Sequence, residues 1–239
     1  MSRIAAAIAA VCIVASPVLA QDLKASLPIL PPLVESKDKG ILVDLVKAIG
    51  KEYTEGKIEI ETFPFARALA NVESGEADFE MPLLMNPNAK ESSLKFRYSS
   101  TKIFDVVFVL YANKNNPDIN PQNLAKYKID TDPGHVDFFD FKVYGNASIE
   151  SGLQKVDLGR IDGWVFAMVE SDAVLKRLGL KNIKRMKYRQ FEVRMVLPKG
   201  SKGDQIDKVL STAIAKLKTS GKYDEIMGPL LNQKFEEWR

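Results

Sequence analysis

The sequence predicts an α/β fold built as two lobes joined by a two-strand hinge, and three observations predict it. A helix–Gly–Asp–strand unit occurs twice, with Leu69, Gly75 and Asp78 spaced as Leu153, Gly159 and Asp162 are. Two copies are too few for a solenoid and suggest two bodies of similar construction. Strand-like and helix-like apolar patterns interleave along the whole chain, as βαβ units require. The closing segments then read as strands and helices that return the chain to its first body, so that this body is discontinuous.

Each element has a local reason. Leu23 to Leu30 is a short apolar strand stopped by Pro31-Pro32. A helix opens over Gly40 to Asp44 and places Leu42, Leu45, Val46 and Ile49 on one face. Ile58 to Glu61 alternates as a strand, Pro64 starts a helix where proline is tolerated, and Gly75 supplies its left-handed stop. Asp78 opens the next strand, followed by the polar loop around Pro87. Val106 to Leu110 is an apolar run suited to a fully buried strand. The Asn- and Pro-rich stretch from Ala112 to Asn123 reads as the first crossing between lobes.

In the second body, Lys128 to Thr131 is a strand, Asp132-Pro133-Gly134 a turn, and Ser148 caps a helix reaching Leu158. Gly163 to Phe166 is a strand, and Met168 to Leu178 a helix ended by Gly179. Ile183 to Tyr188 and Glu192 to Leu197 are two returning strands, the second forming the other crossing. Asp204 to Thr219 is amphipathic, and a last helix runs from Tyr223 toward Leu231.

Composition narrows the function. With 34 Lys+Arg against 31 Asp+Glu in 239 residues, the net charge is +3, and no basic block argues for nucleic acid. Residues 1–20 combine Arg3, an apolar run from Ile4 to Ala15 and a Val18-Leu19-Ala20 cleavage site, which reads as a secretory signal too short to span a bilayer. Cleavage there removes Cys12, the sole cysteine, so the mature chain relies on core packing alone. A bacterial periplasm is the expected compartment. A single His, with no clustered carboxylates, argues against a metal site, and neither a nucleophile elbow nor a phosphate-binding glycine loop occurs. No cofactor is expected.

The order of motifs resembles the family 3 periplasmic solute-binding proteins, the amino-acid-binding class that serves ABC transporters. The carriers of this resemblance are Pro31-Pro32 with Gly40 to Leu45, GEADFEM from Gly75, Tyr98-Ser99, GRIDGWVF from Gly159, and LKTSGKYDEIM from Leu217. The resemblance implies a type II periplasmic binding protein fold of two Rossmann-like lobes closing on a ligand. Lobe 1 would comprise residues 21–110 and 195–239, lobe 2 residues 111–194, with hinge segments near 108–113 and 190–196. It also implies a monomer that meets an ABC permease or a membrane receptor.

Two departures bear on the ligand. The resemblance implies an Arg that grips an α-carboxylate, and counting back from Tyr98-Ser99 places that position at Ser92. It implies an Asp for the α-ammonium, and counting forward from Asp162 places that position at Ala167. Each missing charge-assisted contact is worth about 1.5–3 kcal/mol, so a standard α-amino acid is not the expected ligand. The candidate cleft residues are then Phe65, with Arg67 beside it, and Met81, Pro82 and Leu83 after the third strand. His135, Val136 and Phe166 with Ala167 face them from lobe 2. Arg67 reads more readily as an ion-pair residue, and His135 as a satisfied helix-start residue. An alternative is a dehydratase of the same fold acting on prephenate or arogenate, with Glu80, Glu91, His135 and Glu170 as its acids and bases. A sensor module reporting to a membrane partner is the third class.

Overall fold

The structure is a computed structural model and describes residues 21–237; the expected signal segment, 1–20, lies outside the described residues. β1 (Leu23–Pro28) leads into α1 (Ile41–Glu52), then β2 (Ile58–Phe63), α2 (Phe65–Ser74), β3 (Phe79–Leu84) and the long β4 (Arg97–Asn113). β5 (Ile129–Thr131), β6 (Tyr144–Gly145), α3 (Ile149–Asp157), β7 (Gly163–Ala167) and α4 (Met168–Leu178) follow. β8 (Ile183–Leu197), α5 (Ser201–Thr219) and α6 (Lys222–Leu231) complete the chain.

The strands form one sheet in the order β2-β1-β3-β8-β4-β7-β5-β6. β1, β2 and β3 run parallel, as do β5, β6 and β7, while β4 and β8 are antiparallel partners between the two groups. This is a type II binding-protein arrangement of two α/β lobes on two shared strands.

Core packing separates the halves. Leu27, Leu42, Leu45 and Ile49 join Phe104, Val193 and Leu210 in an aliphatic core. Phe108, Phe138, Phe139 and Phe191 make an aromatic core on one face of the other half, and Tyr111, Leu153 and Trp164 pack on its opposite face. On β4 the side chains change core between Phe104 and Phe108, and on β8 between Phe191 and Val193. The β4 change lies upstream of the 108–113 segment. The Asn- and Pro-rich stretch after Ala112 stays with the second half, because the Asn113 amide donates to the carbonyls of Val156 and Asp157.

Two strands exceed their expected lengths. β8 is continuous where two strands were expected, because Arg189 to Phe191 pair with Val106 to Phe108. β4 begins nine residues before Val106, at Arg97. Its early residues are polar because they face α5: the Ser100 amide donates to Asp207 at 2.9 Å, and Thr101 to Ser211 at 2.8 Å.

The repeated unit does the same structural work twice. Gly75 (φ 81°) and Gly159 (φ 66°) take left-handed turns that side chains resist. Asp78 accepts from the Lys24 amide at 2.8 Å while its own amide donates back to the Lys24 carbonyl. Asp162 repeats both bonds with Lys128, at 2.7 and 3.0 Å. Each aspartate thereby pins its own strand to the parallel neighbour.

Candidate functional site

In a parallel α/β lobe, strand C-terminal ends and helix N-termini gather on one edge, and the two lobes turn these edges toward each other. The sequence places apolar residues there. Ile29 follows β1, Phe65 follows β2, Val136 follows β5 and Val169 follows β7, and all four are large side chains 40% to 50% exposed. All four therefore lie on a rim, the edge of their half that carries the strand C-terminal ends.

Direct contacts cross between the halves beside this rim. The side-chain amide of Asn86, in the loop after β3, donates to the Asp137 carboxylate at 2.8 Å, and that of Asn88 donates to the Asp137 carbonyl at 3.0 Å. A groove of about 150 Å³ lies between the halves on the side of the sheet bearing α4 and α6. Pro32, Leu33, Pro229 and Leu230 form one wall, Met168, Val169 and Glu170 the other, and Val106 and Val107 of β4 belong to its lining as well.

The residues expected at the site are distributed unevenly. Phe65 stands exposed at the start of α2, and is not a core residue of that helix. Arg67 is taken by Glu76 at 2.7 Å, within the same half. Met81 is fully buried in the aliphatic core and Pro82 is buried as well, so neither offers surface; Leu83 is half-buried beside Val72 and Phe96. Strand alternation explains Met81, because it shares a face with Phe79, which packs in the same core. Ser92 lies exposed in a short helical turn, Glu91–Ser93, and its carbonyl accepts from Lys199.

In the second half, His135 is half-buried and its Nδ1 lies 3.1 Å from Asp132, which also accepts from the Gly134 amide. Its ring sits 4.9 Å from Phe138, 5.3 Å from Phe166 and 5.8 Å from Phe108. It is therefore an aromatic packing residue with one nitrogen held. Val136 beside it is exposed. Phe166 bridges both faces of the second half, and Ala167 is buried as the N-cap of α4, where it supplies no side-chain cap. Gly40 at α1 and Pro64 at α2 also leave their helix starts without a side-chain cap.

The four acid–base candidates occupy four separate settings. Glu80 is fully buried on the face of β3 opposite Phe79 and Met81, with neither carboxyl oxygen hydrogen-bonded. Burial pushes its pKa up to about 8, so at neutral pH it is mostly protonated. Glu91 is exposed, His135 packs among aromatics, and Glu170 lines the groove, where lost solvation raises its pKa although its side chain still reaches solvent. Among the described contacts none joins any two of these groups. No cluster of three or more His, Cys, Asp or Glu among the described residues could hold a metal, and no helix there is long and apolar enough to cross a membrane.

The groove's outer residues were hard to find from sequence. Pro229 and Leu230 come from the last helix, and only the return of the chain to lobe 1 places them opposite Met168.

The model of bacterial extracellular solute-binding proteins, family 3, matches residues 30–232. No curated protein sequence matches the chain. Among solved structures, the chain is similar to the GluR0 ligand-binding core from Nostoc punctiforme in complex with L-glutamate. The TM-score is 0.64 at 16% identity, covering 88% of this chain and 100% of that one. It is also similar to a histidine kinase sensor domain resembling periplasmic binding proteins (TM-score 0.63, 15% identity, 89% and 97% covered). The arginine-, lysine-, histidine-binding protein ArtJ from Geobacillus stearothermophilus aligns with a TM-score of 0.62 at 16% identity, covering 90% and 97%. At these identities the structural likeness speaks for the fold, while the family model spans nearly all of the described chain: the protein belongs to the bacterial extracellular solute-binding proteins, family 3.

Proposed function

We propose that this protein is a periplasmic binding protein that captures a small polar or aromatic metabolite between its lobes and delivers it to an ABC permease. In this reading residues 21–110 and 195–239 act as lobe 1, residues 111–194 act as lobe 2, and bending of β4 and β8 closes them. It works as a monomer and performs no chemistry on its ligand. The observation that carries the reading is the rim of Ile29, Phe65, Val136 and Val169, four exposed apolar side chains just past parallel strands of both halves. Apolar walls with few polar groups suit an apolar or flat ligand body. Ser92 and Ala167 occupy the positions at which the resemblance expects an Arg and an Asp, so a standard α-amino acid would lack both charged clamps.

The separation of Glu80, Glu91, His135 and Glu170 favours binding over dehydration, which needs an acid and a base converging on one substrate. A sensing role has its own support in the similarity to a histidine kinase sensor domain. In that case the outer faces of the lobes would meet a receptor instead of a permease.

Thermal-shift screening of the mature chain against a metabolite library tests the reading. A ligand at a hundred times its dissociation constant adds about 2.7 kcal/mol of stability, and Phe65→Ala together with Val169→Ala should weaken that ligand at least tenfold. A library of amino acids, amines, organic acids and aromatics that leaves melting unchanged would contradict it. Turnover of prephenate by the purified protein would replace it with the enzymatic alternative.

A further inference from the structure

We infer that the groove between α4 and α6 accepts a small organic cation with an apolar body, its ammonium group received by the Glu170 carboxylate. This rests on the proposed interlobe binding and specifies its ligand class.

Charge bookkeeping in the groove supports a cation. Its lining holds two carboxylates, Asp105 and Glu170, and no Lys or Arg. Asp105 is held by Lys102 at 2.7 Å, whereas Glu170 makes no ion pair among the described residues. Desolvation by burial raises the Glu170 pKa, and the hydrogen bond from its own backbone N–H partly offsets that rise. An arriving ammonium would give this carboxylate, which still reaches solvent, a charge-assisted partner at the mouth of the groove.

Helix N-termini ordinarily favour anions, and both α1 and α4 begin at this groove, at Ile41 and Met168. Each already carries a carboxylate in its first turn, Asp44 on α1 and Glu170 on α4, which offsets that preference. Pro32, Leu33, Met168, Val169 and Leu230 supply apolar walls for the body of the ligand. The volume of about 150 Å³ limits that body to a short chain or a single ring.

Ligand-detected NMR with three probes of matched shape separates the possibilities: n-pentylammonium, 1-pentanol and pentanoate, each titrated at neutral pH into the mature chain. Pentylammonium should bind, and at least tenfold more tightly than either of the others. Glu170→Gln keeps an acceptor for the backbone N–H and should lose that advantage at unchanged melting temperature. Lys102→Ala, which frees Asp105, should leave pentylammonium binding intact or strengthen it. Equal binding of pentanol, preference for pentanoate, an unaffected Glu170→Gln variant, or no binding by any probe would each overturn the inference. If the metabolite library yields a neutral or anionic ligand whose binding depends on Phe65, the interlobe reading survives while the cation assignment falls.

Discussion

Glu80 and Trp164 occupy the same place in the two copies of the repeated unit, two residues past the aspartate that pins each strand. Both are fully buried. In the second half the position is filled by an indole that packs over Gly152, and its N–H donates to Ser171 at 3.3 Å. In the first half it is filled by a carboxyl group that has no hydrogen-bond partner for either oxygen. Identical topology thus accepts either a large apolar plate or a neutral acid, provided the acid keeps its proton. A second carboxylate makes the point from the other side. Asp130 on β5 is nearly as buried, yet Asn146 donates to it at 3.0 Å and Lys155 at 3.3 Å. Partners, and not burial alone, decide how a fold accommodates an acid.

The largest expected effect breaks that comparison at Glu80. Its pKa is raised from 4.5 to about 8 by desolvation. The unfolded chain therefore releases this proton earlier than the folded one, and stability falls as pH rises from 4.5 through about 8, levelling off above. At about 1.4 kcal/mol per pKa unit, the loss attributable to Glu80 is on the order of 5 kcal/mol at alkaline pH. Glu80→Met should remove it, so urea unfolding should show the variant gaining on the parent chain steadily across that window. Parallel stability profiles for the two would mean that Glu80 is not protonated in the fold.

Next comes Gly152. A Cβ there would lie 2.4 Å from Trp164 Cε3, too close for any real contact, and the indole is wedged in the core. Gly152→Ala should cost about 1–3 kcal/mol by overpacking, read as a drop in melting temperature. The helix residue at the matching place in the first half is already alanine, Ala68, which is fully buried.

The pinning aspartates give a smaller, graded pair. Asp78→Ala strands the part-buried Lys24 amide and should cost about 1–3 kcal/mol, whereas Asp162→Ala opens the exposed Lys128 amide to water and should cost less. Asp78 should be the more costly, because it is the more buried and also holds Lys202 at 2.8 Å. Equal losses would mean that neither the burial nor the lysine adds anything, and surface ion pairs often do not.

Much of this was legible from residue order, and the exceptions have physical causes. The repeated Leu-Gly-Asp spacing exposed two α/β bodies because left-handed glycines and strand-opening aspartates leave local marks. Phe65 and Val136, expected after the second strand and after the Pro-Gly turn, are both exposed. Met81 is expected after the third strand, but that strand runs on to Leu84, and alternation turns Met81 into the core beside Phe79. The full length of β4 leaves no local mark because its first residues are polar, and their partners, Asp207 and Ser211, lie about a hundred positions away. The groove's far wall was invisible for the same reason: Pro229 and Leu230 meet Met168 only after the chain has returned.

The central claim is that two lobes move about β4 and β8 and are held together across the cleft by Asn86 and Asn88 acting on Asp137. Spin labels at Glu73→Cys and Arg160→Cys, exposed positions in opposite halves, report that separation directly by pulsed electron paramagnetic resonance. The account predicts that Asn86→Ala with Asn88→Ala lengthens and broadens the interlabel distance, and that a bound ligand narrows it again. The same sharp distance in the parent chain, in the double variant and with ligand would contradict it.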